Sequence, residues 1–263
     1  MNFMRFAFNL LIFVLLSLNI QAYSQQKIKD FYLSNFKGDG SSDWEVRGDE
    51  AIVHDDDVDI HKMTANYHTE DDTIVITSDK AKLNKQSMDV VLEDNVRIKN
   101  KDGSTLSTDS LNWQRSENHI ETKDWVETSR DSMYIKAEGL SADTEFRRVD
   151  FEKNVEATLP DQESGEPITV TCSGPLEIEY NQGQAVFNDD VVVSHPQGTM
   201  FSDKAIIFFN TEEKGIEKII SEGNVKIERD NNVTFAKKAT FFADQGRLVL
   251  EGRPRLMYYP QEK

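Results

Sequence analysis

The sequence predicts an all-β protein. Three observations carry that reading. Val- and Ile-rich stretches alternate with polar residues along most of the chain, as in "TIVITSDKAKL", "MDVVLEDNVRIK" and "IEKIISEGNVKIER". Asp, Asn and Gly pairs break those stretches, supplying the positive φ that tight turns need. The same phrases also recur: "SEGNVKIERDNNVTFAKKATFF" (221–242) nearly repeats "LEDNVRIKNKDGSTLSTDSLNW" (92–113). The nearest helical candidate, "DSLNWQRSENHI", has β-branched flanks that argue against a helix.

The first element is an address. Arg5 precedes the apolar run "FAFNLLIFVLLSLNI" (6–20), and "AYS" (22–24) follows. This fits a secretory signal cleaved before Gln25. Counted from Phe3 to Tyr23, the segment approaches the roughly 20 residues of a membrane span, so residues 1–24 read as a signal peptide or an anchor. Either way the remainder lies outside the cytoplasm. Residues 25–43 read as a linker.

From residue 44 the chain is organised by repeats, which precede any finer assignment. One half-phrase is a turn followed by valine: Asn95-Val96, Trp125-Val126, Asn154-Val155, Asp190-Val191 and Asn224-Val225. The other ends on a small or aliphatic residue: Ala51, Ala81, Leu111, Leu140, Leu176, Ala205 and Ala239, spaced by 30, 30, 29, 36, 29 and 34 residues. About seven stacked two-strand units follow, with fourteen or more short strands. The longest step holds the polar loop "LPDQESGEP" (159–167). One such unit cannot bury its apolar face alone, whereas a stack can, as a sandwich, jellyroll or solenoid.

Aligning the copies predicts an inward set: Val90, Val96, Ile98; Val149, Phe151, Val155; Phe187, Val191, Val193; Ile219, Val225, Ile227. The Glu, Lys, Asp and Arg between them should face water. Such an interior is either a packed core, as in a structural cell-surface β-repeat, or a slightly open groove for a lipid. Trp113 shares a face with Leu111 and reads as core, while Trp44 reads as a cargo or partner contact.

Composition narrows the function. A formal net charge of −17 argues against nucleic acid, which needs Lys and Arg to neutralise phosphates, and against simple docking on anionic headgroups. Cys172 is the only cysteine, so no intrachain disulfide forms; its alternating neighbours suggest a buried small hydrophobe. The acidic stretch "GDEAIVHDDDVDIH" (48–61) lacks the spacing and glycine of a calcium loop, and on a strand its carboxylates divide between two faces. No phosphate loop, serine elbow or zinc spacing is present, so neither an enzyme nor a cofactor is expected.

Specific phrases carry a resemblance. Trp44–Ala51 ("W-x-V-x-G-x-x-A"), "SDKAKL", "NVRIKNKDGSTLSTDSLNW" and "GLSAD" resemble the periplasmic LptC family. "GQAVFNDDVVV", "FSDKAIIFF", "SEGNVKI", "KKATFF" and "LVLEGRP" resemble the LptA/OstA-like repeat. The resemblance divides the chain into an LptC-like part (44–175) and an LptA/OstA-like continuation (176–259). It implies a twisted β-jellyroll open along one seam, carrying lipopolysaccharide from the inner-membrane ABC transporter towards the outer membrane. The implied acyl-chain groove is lined by Trp44, Val46, Val90, Val96, Ile98, Phe151, Val155, Phe187, Val191, Val193, Val225 and Ile227. Strand addition would join neighbouring jellyrolls. The N-terminal edge, near Trp44–Val53, would face the transporter. The C-terminal edge (246–259), with Val249, Leu250 and Leu256, would face an LptA-like bridge protein, its pairing limited by Pro254.

Overall fold

The computed structural model describes residues 26–38, 40, 42–68, 73–101, 103–130, 133–144, 146–160, 165–210 and 215–258; residues 1–24, expected as a signal peptide or anchor, lie outside them. Among the described residues there is no α-helix and therefore no helix long and apolar enough to cross a membrane. In chain order the strands are β1 Gln26–Phe36, β2 Ser42–Val53, β3 Asp57–His68, β4 Thr73–Asn84, β5 Val90–Lys99 and β6 Thr105–Gln114. There follow β7 His119–Arg130, β8 Met133–Asp143, β9 Arg148–Leu159, β10 Ile168–Cys172, β11 Leu176–Glu179 and β12 Gln184–His195. The last five are β13 Gly198–Asn210, β14 Gly215–Arg229, β15 Asn232–Phe242, β16 Arg247–Glu251 and β17 Arg255–Met257.

The chain forms two compact units, residues 1–124 and 125–263, dividing within β7. In the first, β1 to β6 form an antiparallel meander in which each strand pairs with the next. In the second, β8 pairs with β9, and β9 pairs with both β10 and β11, which are two pieces of one interrupted strand. Those pieces pair in turn with β12, and the meander continues through β13, β14 and β15. It closes on another interrupted strand, β16 and β17, both paired with β15. This all-β antiparallel arrangement is consistent with a β-jellyroll.

Two expectations change. Residues 26–36, expected as linker, form β1, which pairs with β2 almost along its whole length. Its own alternation, Ile28 and then Phe31 and Leu33, supplies apolar residues opposite Ala51, Gly48 and Val46. The strands are also longer than expected, because most Asn-Val breaks are not turns. Asn95, Asn154 and Asn224 hold φ of 56°, 53° and 46° in the middle of β5, β9 and β14. At all three sites the register shifts: between Glu93 and Val96, between Lys136 and Glu138 opposite Asn154, and between Glu222 and Val225. The left-handed residues therefore form bulges that bend one long strand. True reversals lie elsewhere: Asp230 and Asn231, at φ 48° and 62°, make the two-residue turn that joins β14 to β15.

The bulges explain why the two half-phrases recur together. The Asn95 side chain donates to Asp79 of "SDKA" at 2.6 Å, and Asn154 donates to Glu138 of "AEGL" at 2.9 Å. Lysines reinforce the same corners: Lys62 pairs with Asp79 at 2.5 Å, Lys80 with Asp94 at 2.7 Å and Lys153 with Glu138 at 2.9 Å. Each corner thus ties a bend to the bend of the neighbouring strand. Glycine is required where the backbones crowd. At Gly223 (φ +77°) a Cβ would lie 2.2 Å from an Asp203 carboxylate oxygen.

Candidate functional site

Directly opposite residues of antiparallel strands point to one face, so the register defines the interior row by row. In the first unit one row runs Leu33, Val46, Ala65, Ile76, Ile98, Leu106. All but Leu106 are only half-buried. The row beyond the corner, Ala51, Ile60, Ala81, Leu92, Leu111, is buried. This interior is close-packed on one side of the bend and accessible on the other.

The second unit is read row by row in the same way. One row runs Ile135, Ala157, Val170, Val193, Met200, Ile227, Thr234, Leu256. Its first four members are buried, the next three half-buried, and Leu256 is 66% exposed. A parallel row, Val149, Ile178, Ala185, Ile207, Ile219, Phe241, Leu248, begins buried and ends at Leu248, 44% exposed. A third, from Leu140 through Phe151, Leu176, Phe187, Ala205, Ser221 and Ala239 to Leu250, is buried until Leu250. The interior is therefore dry near β9–β12 and opens towards β16 and β17.

The twelve expected groove residues divide accordingly. Trp44, Val96, Phe151, Val155, Phe187, Val191, Val193 and Val225 are buried, whereas Val46, Val90, Ile98 and Ile227 are half-buried. Phe151 and Phe187, each 1% exposed, pack beside Leu176 between them. Trp113 is half-buried opposite Val90, while Trp125 is half-exposed with the Lys136 ammonium over its ring at 5.8 Å.

The edges also differ from expectation. β2, with Trp44–Val53, pairs on both sides, and the outer strand of the first unit is β1, with exposed Tyr32 and Phe36. Among the described residues, β16 and β17 pair only with β15. Leu250 and Leu256 continue inward rows, whereas Val249 lies opposite Thr240 on the other face. Pro254 falls in the corner between β16 and β17, after which pairing with β15 resumes.

The outer face of the second unit is less polar than alternation suggested. Val186, Ile206, Ile220, Thr240 and Val249 form one outward row, and Phe208, Lys218, Phe242 and Arg247 form the next. In the second row the Lys218 ammonium sits 4.3 Å from the Phe208 ring, and the Arg247 guanidinium 4.8 Å from Phe242. The signal was visible in the doubled runs "AIIFF", "KII" and "ATFF", which place apolar residues on both faces.

The remaining candidates carry no reactive constellation. His54 and Asp59 lie 2.8 Å apart and Lys82 pairs with Asp57 at 3.0 Å, so part of the acidic stretch is engaged in ion pairs. Among the described residues no group of three or more His, Cys, Asp or Glu is placed to hold a metal ion. Burial pushes the Cys172 thiol up to about 11, a value suited to a packed hydrophobe and not to a nucleophile.

Comparison with known families accords with this geometry. A family model described as lipopolysaccharide-assembly, LptC-related, matches residues 28–160, just over half of the chain. A second, described as LptA/(LptD N-terminal domain) LPS transport protein, matches residues 173–262. No curated protein matches the chain significantly. The chain therefore belongs to the LptC-related lipopolysaccharide-assembly family, continues into an LptA/LptD-type region, and takes part in lipopolysaccharide transport.

Proposed function

We propose that the protein is a periplasmic transport component that holds lipopolysaccharide acyl chains in its apolar interior. It would receive the lipid from the inner-membrane ABC transporter and pass it to an LptA-like bridge protein. The observation that carries this reading is the gradient of exposure along inward-facing rows, from a dry core to accessible Ile227, Leu248 and Leu256. A purely structural β-repeat gains nothing from leaving inward leucines open to water. Burying a methylene is worth about 0.8 kcal/mol, so an acyl chain of a dozen carbons needs roughly 8–10 kcal/mol of replacement burial to leave a bilayer. A partly open apolar seam supplies this, and the sugar–phosphate head can stay outside. An acidic protein can then carry an anionic lipid.

The edges are the natural docking elements, since strand addition satisfies their unpaired backbone groups. The transporter side is assigned to β1 and the bridge side to β16–β17. The match at 173–262 favours a second reading, in which the chain is itself a soluble bridge. The mature N-terminus separates the two: cleavage before Gln25 supports the bridge, and retention of residues 1–24 supports the anchored component.

Depletion in cells tests the transport role. Newly made lipopolysaccharide is expected to accumulate at the inner membrane when the protein is removed. Unchanged delivery to the outer membrane would contradict the proposal.

A further inference from the structure

The C-terminal edge departs from the charge of the rest of the molecule. The chain has 47 Asp and Glu against 30 Lys and Arg. Residues 246–258 reverse that balance, with Arg247, Arg253 and Arg255 against a single carboxylate, Glu251, which lies opposite Lys238. All three arginines are exposed, and none has an ion-pair partner among the described residues. On the outer strand of the first unit, by contrast, Lys27 of β1 is paired with Glu50 at 2.6 Å.

Position matters as much as charge. Alternation along β16 sends Leu248 and Leu250 to the interior rows and Arg247 to the other face. On β17, Leu256 continues an interior row while Arg255 lies opposite Phe235 on the outer side. Arg253 occupies the corner between them at φ 63°, a conformation that glycine would adopt more readily. Arg247 and Arg255 are thus the immediate chain neighbours, on the outer face, of Leu248 and Leu256, at which apolar rows emerge into solvent, and the Arg247 guanidinium rests over the Phe242 ring. A guanidinium offers a planar fork that matches two phosphate oxygens at once, which an ammonium cannot do.

We propose that Arg247, Arg253 and Arg255 form a phosphate-recognising rim on the C-terminal mouth, binding the anionic headgroup of the lipid whose acyl chains occupy the interior. This rests on the function proposed above. The rim would hold the headgroup at the hand-off edge while the chains remain buried, and it would give a carrier with an unselective apolar interior a preference for phosphorylated lipids.

The test uses the full chain, with affinity measured for purified lipopolysaccharide, for the same lipid after enzymatic dephosphorylation, and for inorganic phosphate. The variants are the triple Arg247→Gln, Arg253→Gln, Arg255→Gln and its Arg→Lys counterpart, both checked for an unchanged melting temperature. The Gln variant is expected to bind the phosphorylated lipid roughly tenfold more weakly, with the dephosphorylated lipid unaffected and the Lys variant intermediate. Wild-type protein binding both lipids equally, or an unchanged Gln variant, would overturn the rim and leave the transport reading standing. Inorganic phosphate binding as tightly as the lipid would overturn the headgroup assignment. Binding of neither lipid would overturn the rim together with the lipid-holding role.

Discussion

The side-chain amide of Asn224 donates to both carboxylate oxygens of Asp203, at 3.2 and 3.0 Å. Asn224 is the Asn of an Asn-Val phrase on β14, and Asp203 is the Asp of an "SDKA" phrase on β13. The repeat is therefore a device for registering one bend against the next, not a count of hairpins. Replacing Asn224 by Ala removes these bonds and places a Cβ-bearing residue without a compensating amide at φ 46°. The expected loss is about 1–2 kcal/mol in urea unfolding. Asn224→Gly should lose less, since glycine adopts that φ freely. Equal stability of all three proteins would show that the corner bond contributes nothing.

Core and seam should separate under truncation. Phe187 is buried in the dry part of the second unit, and Phe187→Ala is expected to cost about 3–5 kcal/mol. Ile227 faces the same interior but is half-buried, and Ile227→Ala should cost only about 1 kcal/mol. The milder variant should nevertheless weaken lipid binding. Chemical denaturation with a parallel lipid-binding assay checks both halves of this expectation.

The corner ion pairs set a pH window. Hydrogen bonding from Lys62, and then from Asn95, holds the Asp79 carboxyl below its usual value near 4. Lys153, and then Asn154, do the same for Glu138. A depressed folded pKa means stability that is present above the unfolded value and lost as pH falls through the folded one. Melting temperature should therefore decline as pH drops below about 4, and less steeply in Asp79→Asn. The Lys62 ammonium is raised by the same partner, so its contribution is lost only as pH rises past its usual value near 10. Identical acid limbs for wild type and Asp79→Asn would refute this.

Cys172 reports on the interior. Its thiol lies 3.3 Å from the Gly174 carbonyl oxygen and is raised by burial to about 11. Maleimide labelling at pH 8 should be negligible in native protein and rapid in denaturant. Fast native labelling would mean that the β10–β11 interruption opens readily.

Much of this architecture was legible because a period of two and a repeated phrase both survive without knowledge of partners. The inward parity of Val96, Val155, Val191 and Val225 follows from their place after the positive-φ residue, and all four are buried. What local sequence could not settle was whether a left-handed Asn reverses the chain or bends it. Asn95 bends β5 within the strand, whereas Asn231 helps to turn β14 into β15, and both have positive φ. The neighbouring strand decides, and that information is not local. The alternation of β1 is short and follows an apolar run, so local sequence reads it as linker. The accessible face was hidden for a related reason: Val96 and Ile98 share parity, yet one is buried at the corner and the other lies half-open beyond it.

The central claim is that lipid occupies the inward face. A photoreactive residue placed singly at Val46, Ile98 or Ile227, with outward Lys226 as control, tests it in living cells. Lipopolysaccharide adducts are expected at the three inward positions and none at Lys226. Folded, exported protein that yields no adduct at any inward position, or yields one at Lys226 equally, would contradict it.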